Sequence, residues 1–234
     1  MRVTVGLIAA LIIASVVPAT AAEGPVEPGE LRRAFFKTVF GLEYGGGHQD
    51  AERVKRYSGQ VRFAVEDRSG VGRRATAVAF LRSLPSRIAH LDAVVVDRTQ
   101  DASFRVILVR EADFSDVVAH ELNADAIAMN ARCLVGVSTL SGRIERSTAV
   151  IVADDDFLFA RCLVEEVLQG LGPMNDDVSL TMSVFNDRSR LAHFTRFDEA
   201  LMNVLYHPMI RPGMSRHEAS LALPWVMHDL GYLH

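Results

Sequence analysis

Glu165, Glu166, Gln169, Gly172, Asn175 and Asp176 are the residues whose types and spacing could do chemistry together. Glu165 and Gln169 stand four positions apart, so on a helix their oxygens project from one face, one turn above the other. Glu166 points to one side of that pair, where a carboxylate can serve as general base towards a bound water. Gly172 lets the chain turn sharply after the helix and bring Asn175 and Asp176 back as further oxygen donors. The arrangement can be a clip for a divalent ion, with Glu165, Gln169 and Asn175 or Asp176 as ligands and Glu166 as base. Zinc prefers imidazole, thiolate and carboxylate, whereas the amide oxygens of Gln and Asn suit harder ions such as calcium. The same residues can also close a polar network without metal, with Gln169 donating to Glu165, because a buried carboxylate needs donors. Glu165 and Glu166 diverge on a helix, so they are not an acid/base pair facing each other across a substrate.

The stretch EEVLQGLGPMN has the frame H-E-x-x-H-x-x-G-x-x-H and is distantly similar to the metzincin zinc peptidases, matrixins in particular, with the three histidines replaced. That likeness covers residues 59–207. It implies that Met182 sits near the Met-turn and that FDEALMNVLYHP is the terminal helix. The run from Cys162 to Met214 also resembles an exported proteobacterial family, domain of unknown function 2927, in its Cys-x-x-Glu-Glu-x-x-Gln-x-Leu-Gly-x-x-Asn-Asp signature. Phe-Asn-Asp and Leu-Tyr-x-Pro-x-x-Arg-Pro-Gly-Met follow, and the upstream part from about Leu31 through GQVRFAVED fits as well. The family brings no activity with it. Together the two resemblances imply an α/β (α+β) fold with a mixed, mostly parallel sheet, packed helices, a motif helix and a C-terminal helix.

The chain of 234 residues opens with Met1-Arg2, an apolar run from Val5 to Val17 and the small residues of PATAA, the pattern of a signal peptide over residues 1–22. The expectation is a periplasmic or secreted protein. The rest has no apolar run long enough to span a bilayer, so no transmembrane segment is expected after cleavage. About 212 residues remain, enough to bury one sizeable core. The formal charge of −4 argues against a nucleic-acid partner, which would call for a basic surplus. Cys133 and Cys162 are an even pair in an exported chain and favour a disulfide closing a loop of about 30 residues.

Three segments follow the leader: a lead-in with a short helix at 23–58, the metzincin-like domain at 59–214, and a tail at 215–234. Leu31 to Phe40 reads as a short amphipathic helix, and Gly45-Gly46-Gly47 as a loop, since no Lys-Ser/Thr follows to make a phosphate loop. Gln60 to Glu66 alternates as a strand. Residues 71–90 carry helical periodicity that Pro85 should kink or end. Ala93–Val96 and Phe104–Val109 read as buried strands. Leu134–Ala153 reads as a hairpin turning at Ser141-Gly142. Asp154, Asp155 and Asp156 are placed to cap the motif helix.

His120-Glu121 begins like a zincin helix, but the second ligand position is Ala124, and a surface helix is expected. His193, His207, His217, His228 and His234 are scattered at irregular spacing and read as surface or capping groups. Asn175-Asp176-Asp177 and Asn186-Asp187 also have the composition of turns. Three functions are compatible with these residues. The first is a degenerate metallopeptidase with no cofactor that binds a peptide, a protein or a cell-envelope component. The second is a working hydrolase with a divalent metal held by non-histidine ligands. The third is a structural protein whose tail docks a partner through Trp225, Met227 and Tyr232.

Overall fold

The structure, a computed structural model, describes residues 24–41, 50–125 and 131–233. The expected leader at 1–22, Gly45-Gly46-Gly47 and His234 lie outside the described residues.

The sheet is built from β1 (Val61–Asp67), β2 (Ala93–Val95), β3 (Phe104–Val109), β4 (Cys133–Leu140) and β5 (Arg143–Val152), in the order β2-β1-β3-β5-β4. β1 pairs in parallel with β2 and β3, β3 pairs in parallel with β5, and β4 closes the sheet as an antiparallel edge. β3 lies at the centre, and its near-continuous apolar run is what a strand covered on both faces requires. The β4–β5 hairpin turns at Ser141 and Gly142, both at positive φ (52° and 81°), as a two-residue type I′ turn demands. This is the mixed, mostly parallel sheet with packed helices that the sequence implies.

Helices α1 (Pro28–Thr38), α2 (Arg74–Arg87), α4 (Asp156–Gln169), α5 (Arg196–Tyr206) and α6 (Arg216–Asp229) contribute to one large apolar core on one face of the sheet. Helix α3 (Phe114–Leu122) covers the other face with a smaller core of Phe114 and Val118 against Ile107, Val109, Val150 and Val152. Alternation along β5 divides its side chains between the two: Ala149 and Ile151 point to the large core, Val150 and Val152 to the small one. Helix α2 passes Pro85 and ends two residues later, where Ile88 N–H donates to Leu84 O. So close to the C-terminus, the proline's missing donor leaves little helix to break.

The lead-in and the tail join the same core. Leu31, Ala34 and Phe35 of α1 and Ala219, Leu223, Val226 and Met227 of α6 are buried in it together. Ser215 starts α6 with a capping box to Glu218. Of the three tail residues considered for docking, Met227 is buried in this core, Tyr232 is half-buried and Trp225 is exposed. Lys55 is buried with its ammonium donating to the carbonyls of Val39, Asp50, Ala51 and Arg53, and burial lowers its pKa to about 8.

Candidate functional site

Helix α4 positions the motif. Asp155 caps it, its carboxylate accepting from Leu158 N–H at 2.7 Å, while Asp154 accepts from Glu111 N–H and Asp156 pairs with Arg73. Asp155 as cap and Asp156 in the first turn serve the helix start as their position in the sequence predicts, whereas Asp154 serves Glu111 instead. From Phe159 to Gln169 the helix is buried almost throughout. One side carries Leu163, Val167 and Leu168 into the core, and Arg161, Glu165 and Gln169 repeat at i, i+4 and i+8 to form a polar stripe. The disulfide Cys133–Cys162 joins the first residue of β4 to the middle of α4.

The polar stripe is closed by side chains of the protein itself. Arg161 Nη2 donates to Glu165 Oε1 at 2.7 Å, and both side chains are buried. The same guanidinium donates to the carbonyls of Val184, Asn186, Ser189 and Leu191 and to the Ser189 hydroxyl, and so fastens the segment 184–191 over the helix. Gln169 Nε2 donates to Asp176 Oδ1 at 2.9 Å. The clip expected between Gln169 and Glu165 is therefore two clips, Arg161 with Glu165 and Gln169 with Asp176.

Asn175 goes elsewhere. Its Nδ2 donates to Lys37 O and its backbone N–H to Thr38 O, satisfying carbonyls at the C-terminus of α1. Gly172 makes the turn after α4 at φ 146°, with its N–H on Gln169 O. Met182 is exposed in a turn, its carbonyl accepting from Thr195 Oγ1, and its side chain borders a small hollow with Leu180 and Phe197. Asp177 accepts from Lys37 Nζ and from the hydroxyl and N–H of Ser179, which hold its carboxyl down at about 2. Asn186 uses both ends of its amide in its own loop, accepting from Arg188 N–H and donating to the Val178 and Leu180 carbonyls.

A cleft of about 580 Å³ opens over this stripe. Glu165, Glu166, Gln169 and Asp176 line it; Asn175, Gly172 and Met182 do not. Its walls come from the start of β4 on one side and from Asp187–Arg190 on the other, with Phe157 near the mouth. Carboxylate oxygens of Glu165, Asp176 and Asp187 lie within 4.8 Å of one another. Among the described residues the site offers carboxylates and the Gln169 amide but no imidazole or free thiolate, Glu165 already faces a guanidinium, and Cys133 is in the disulfide, so these residues do not make the nitrogen and sulfur set of a histidine zinc site.

None of the histidines considered lines the cleft among the described residues. His120, His193, His217 and His228 are exposed, and His207 is buried with Nε2 2.9 Å from Asp229. Glu121 of α3 pairs with Arg68, just after β1, and with Arg105 of β3. Sequence reasoning missed Arg161, Arg188 and Arg190, and read Asp187 as a turn residue in preference to a metal ligand. Arg161 had a signal, standing four residues before Glu165 on the same helix face. The others had none, because their place depends on how the segment after Asp187 folds back.

No curated protein matches the chain. The family described as "Protein of unknown function (DUF2927)" matches residues 28–225, from the start of α1 into α6, and the chain belongs to that family.

Proposed function

We propose that this chain is an exported, metzincin-like binding protein, working in the periplasm or after secretion, whose cleft holds a peptide segment or cell-envelope component without cleaving it. The observation that carries this reading is the occupation of the former ligand positions by the protein's own groups. Arg161 neutralises Glu165, Gln169 bonds Asp176, and Asn175 caps α1. A resident guanidinium takes the place of the cation that a peptidase would hold there. The metzincin part of the reading is supported by element order from β1 to α5: strand, helix, strands, hairpin, motif helix, loop and helix, with α3 as an additional helix between β3 and the hairpin. The disulfide supports export, since such bonds persist in oxidising compartments.

A second reading rests on the convergence of Glu165, Asp176 and Asp187 oxygens. They would hold a divalent ion through oxygen ligands, with Glu166 as base in a metal-dependent hydrolase. Elemental mass spectrometry of the untagged chain, purified without chelators, separates the two. The binding reading expects a folded chain with no stoichiometric divalent ion. One ion per chain, lost in both Glu165→Ala and the surface variant Asp187→Asn, would replace it with the hydrolase.

A further inference from the structure

Among the described residues, the lining of the cleft carries four arginines and four carboxylates, divided between its walls. Arg161 is engaged by Glu165 on the floor, and Arg132 pairs with Glu111 outside. Glu165 and Glu166 are buried on α4 and Asp176 follows it, Asp187 reaches towards Glu165 and Asp176 from the opposing segment, and Arg188 and Arg190 of that segment are exposed at the mouth. Arg190 also lies 5.9 Å from the centroid of the Phe157 ring, which is 43% exposed. Three kinds of surface thus meet in one cavity: acidic at the base, basic at the lip, aromatic beside it.

We propose that the ligand is a short dipolar peptide, with its cationic group towards the acidic base, its carboxylate on Arg188 and Arg190, and an apolar side chain against Phe157. The inference rests on the binding reading above and names the ligand class for the same cleft. Charge complementarity selects it, because a polyanion meets the acidic base and a polycation meets the lip arginines. Arginine suits a carboxylate through its paired donors. Size agrees as well. The cavity of about 580 Å³ lies within the range of roughly 300–1,000 Å³ that takes small ligands. Three extended residues reach about 10 Å, close to the width of such a cavity.

The test is calorimetric titration of the full mature chain with the tripeptide Ala-Phe-Ala in four forms: free, N-acetylated, C-amidated and blocked at both ends. The free form should bind about tenfold more tightly than either singly blocked form, the scale of one charge-assisted contact, with the doubly blocked form weakest. The double variant Arg188→Ser/Arg190→Ser should abolish the difference between free and amidated peptide and keep that between free and acetylated. Asp187→Asn should reduce the difference between free and acetylated peptide and keep that between free and amidated. All three positions are exposed, so the variants should melt as the parent does. Equal binding of the four forms, or a preference set by one end alone, overturns the dipolar ligand and leaves the binding cleft standing. No binding of any form to a cooperatively melting chain overturns the dipolar peptide as ligand, and the metal measurement above decides the binding reading separately.

Discussion

Arg161 and Glu165 form one buried ion pair, 2.7 Å between Nη2 and Oε1, one turn apart on α4. The pair has two duties, neutralising the carboxylate and tying down the segment 184–191. Removing one partner strands the other charge in the interior, which costs about 3–5 kcal/mol, whereas replacing both by apolar groups of similar size is close to neutral. Arg161→Met should therefore lower the urea midpoint sharply, and Arg161→Met/Glu165→Leu should recover the part due to the buried carboxylate and leave the part due to the lost bonds to 184–191. A single variant as stable as the parent would show that the pair does not carry the segment.

The disulfide is the other tether of the cleft helix. Cys133 and Cys162 are 29 residues apart in sequence, and the bond holds the edge strand β4 on α4. A loop of that length predicts about 3–4 kcal/mol of stabilisation. Cys133→Ala/Cys162→Ala should lower the unfolding free energy by that order, measured by denaturant titration without reductant. A change below about 1 kcal/mol would mean that the unfolded chain gains little freedom when the bond is absent.

Much of the fold was legible because its signals are local. The apolar run Phe104–Val109 became β3 without a shift in boundary, and Ser141-Gly142 made the hairpin turn because both adopt positive φ. The caps at Asp155 and the pairing of two cysteines were readable for the same reason. The site was legible in part. Glu165, Glu166, Gln169 and Asp176 share the cleft because helical periodicity and one glycine turn bring them there. Asn175 was misplaced because its partner is the carbonyl end of α1, 138 residues away, whose orphan acceptors outbid the cleft. Arg188 and Arg190 reach the mouth only through the fold-back that Arg161 enforces. Such tertiary hydrogen bonds leave no periodic trace.

Gly172 is the turn that ends the motif, and the structure leaves it no room for a side chain. An added Cβ would lie 2.3 Å from Lys55 O and 2.8 Å from Leu205 Cδ2, at a φ of 146° that other residues rarely adopt. The carbonyl cannot move freely, because the backbone around Lys55 is held by the caged ammonium. Gly172→Ala combines backbone strain with overpacking and should cost roughly 2–4 kcal/mol. Gly70→Ala, also at positive φ but with open space around it, should cost about 1 kcal/mol or less. Thermal melts of the two variants side by side separate close contact from φ strain; equal losses would count against the contact.

Asp198 is the titrating group that holds the cleft wall. It lies at the start of α5 in a capping box with Thr195 and accepts from the Ser183 hydroxyl at 2.6 Å and from Val184 N–H, where the segment fastened by Arg161 begins. Complete burial pushes its carboxyl up to about 6, against the pull of these donors in the other direction. The ordinary value is 3.8, so between about pH 4 and 6 the folded chain binds more protons than the unfolded chain. This group's contribution to stability therefore falls as pH rises through that window, by about 3 kcal/mol in all for a shift of two units. Asp198→Asn removes the titration and keeps an acceptor for Ser183. Urea unfolding at pH 4, 5, 6 and 7 should show the variant losing ground to the parent most at pH 4, with the difference shifting in the variant's favour by about 3 kcal/mol towards pH 7. Its profile should also lack the decline that Asp198 contributes between pH 4 and 6. Parallel profiles for parent and variant would mean that the donors hold the carboxylate ionised, and the wall would then be insensitive to pH in this range.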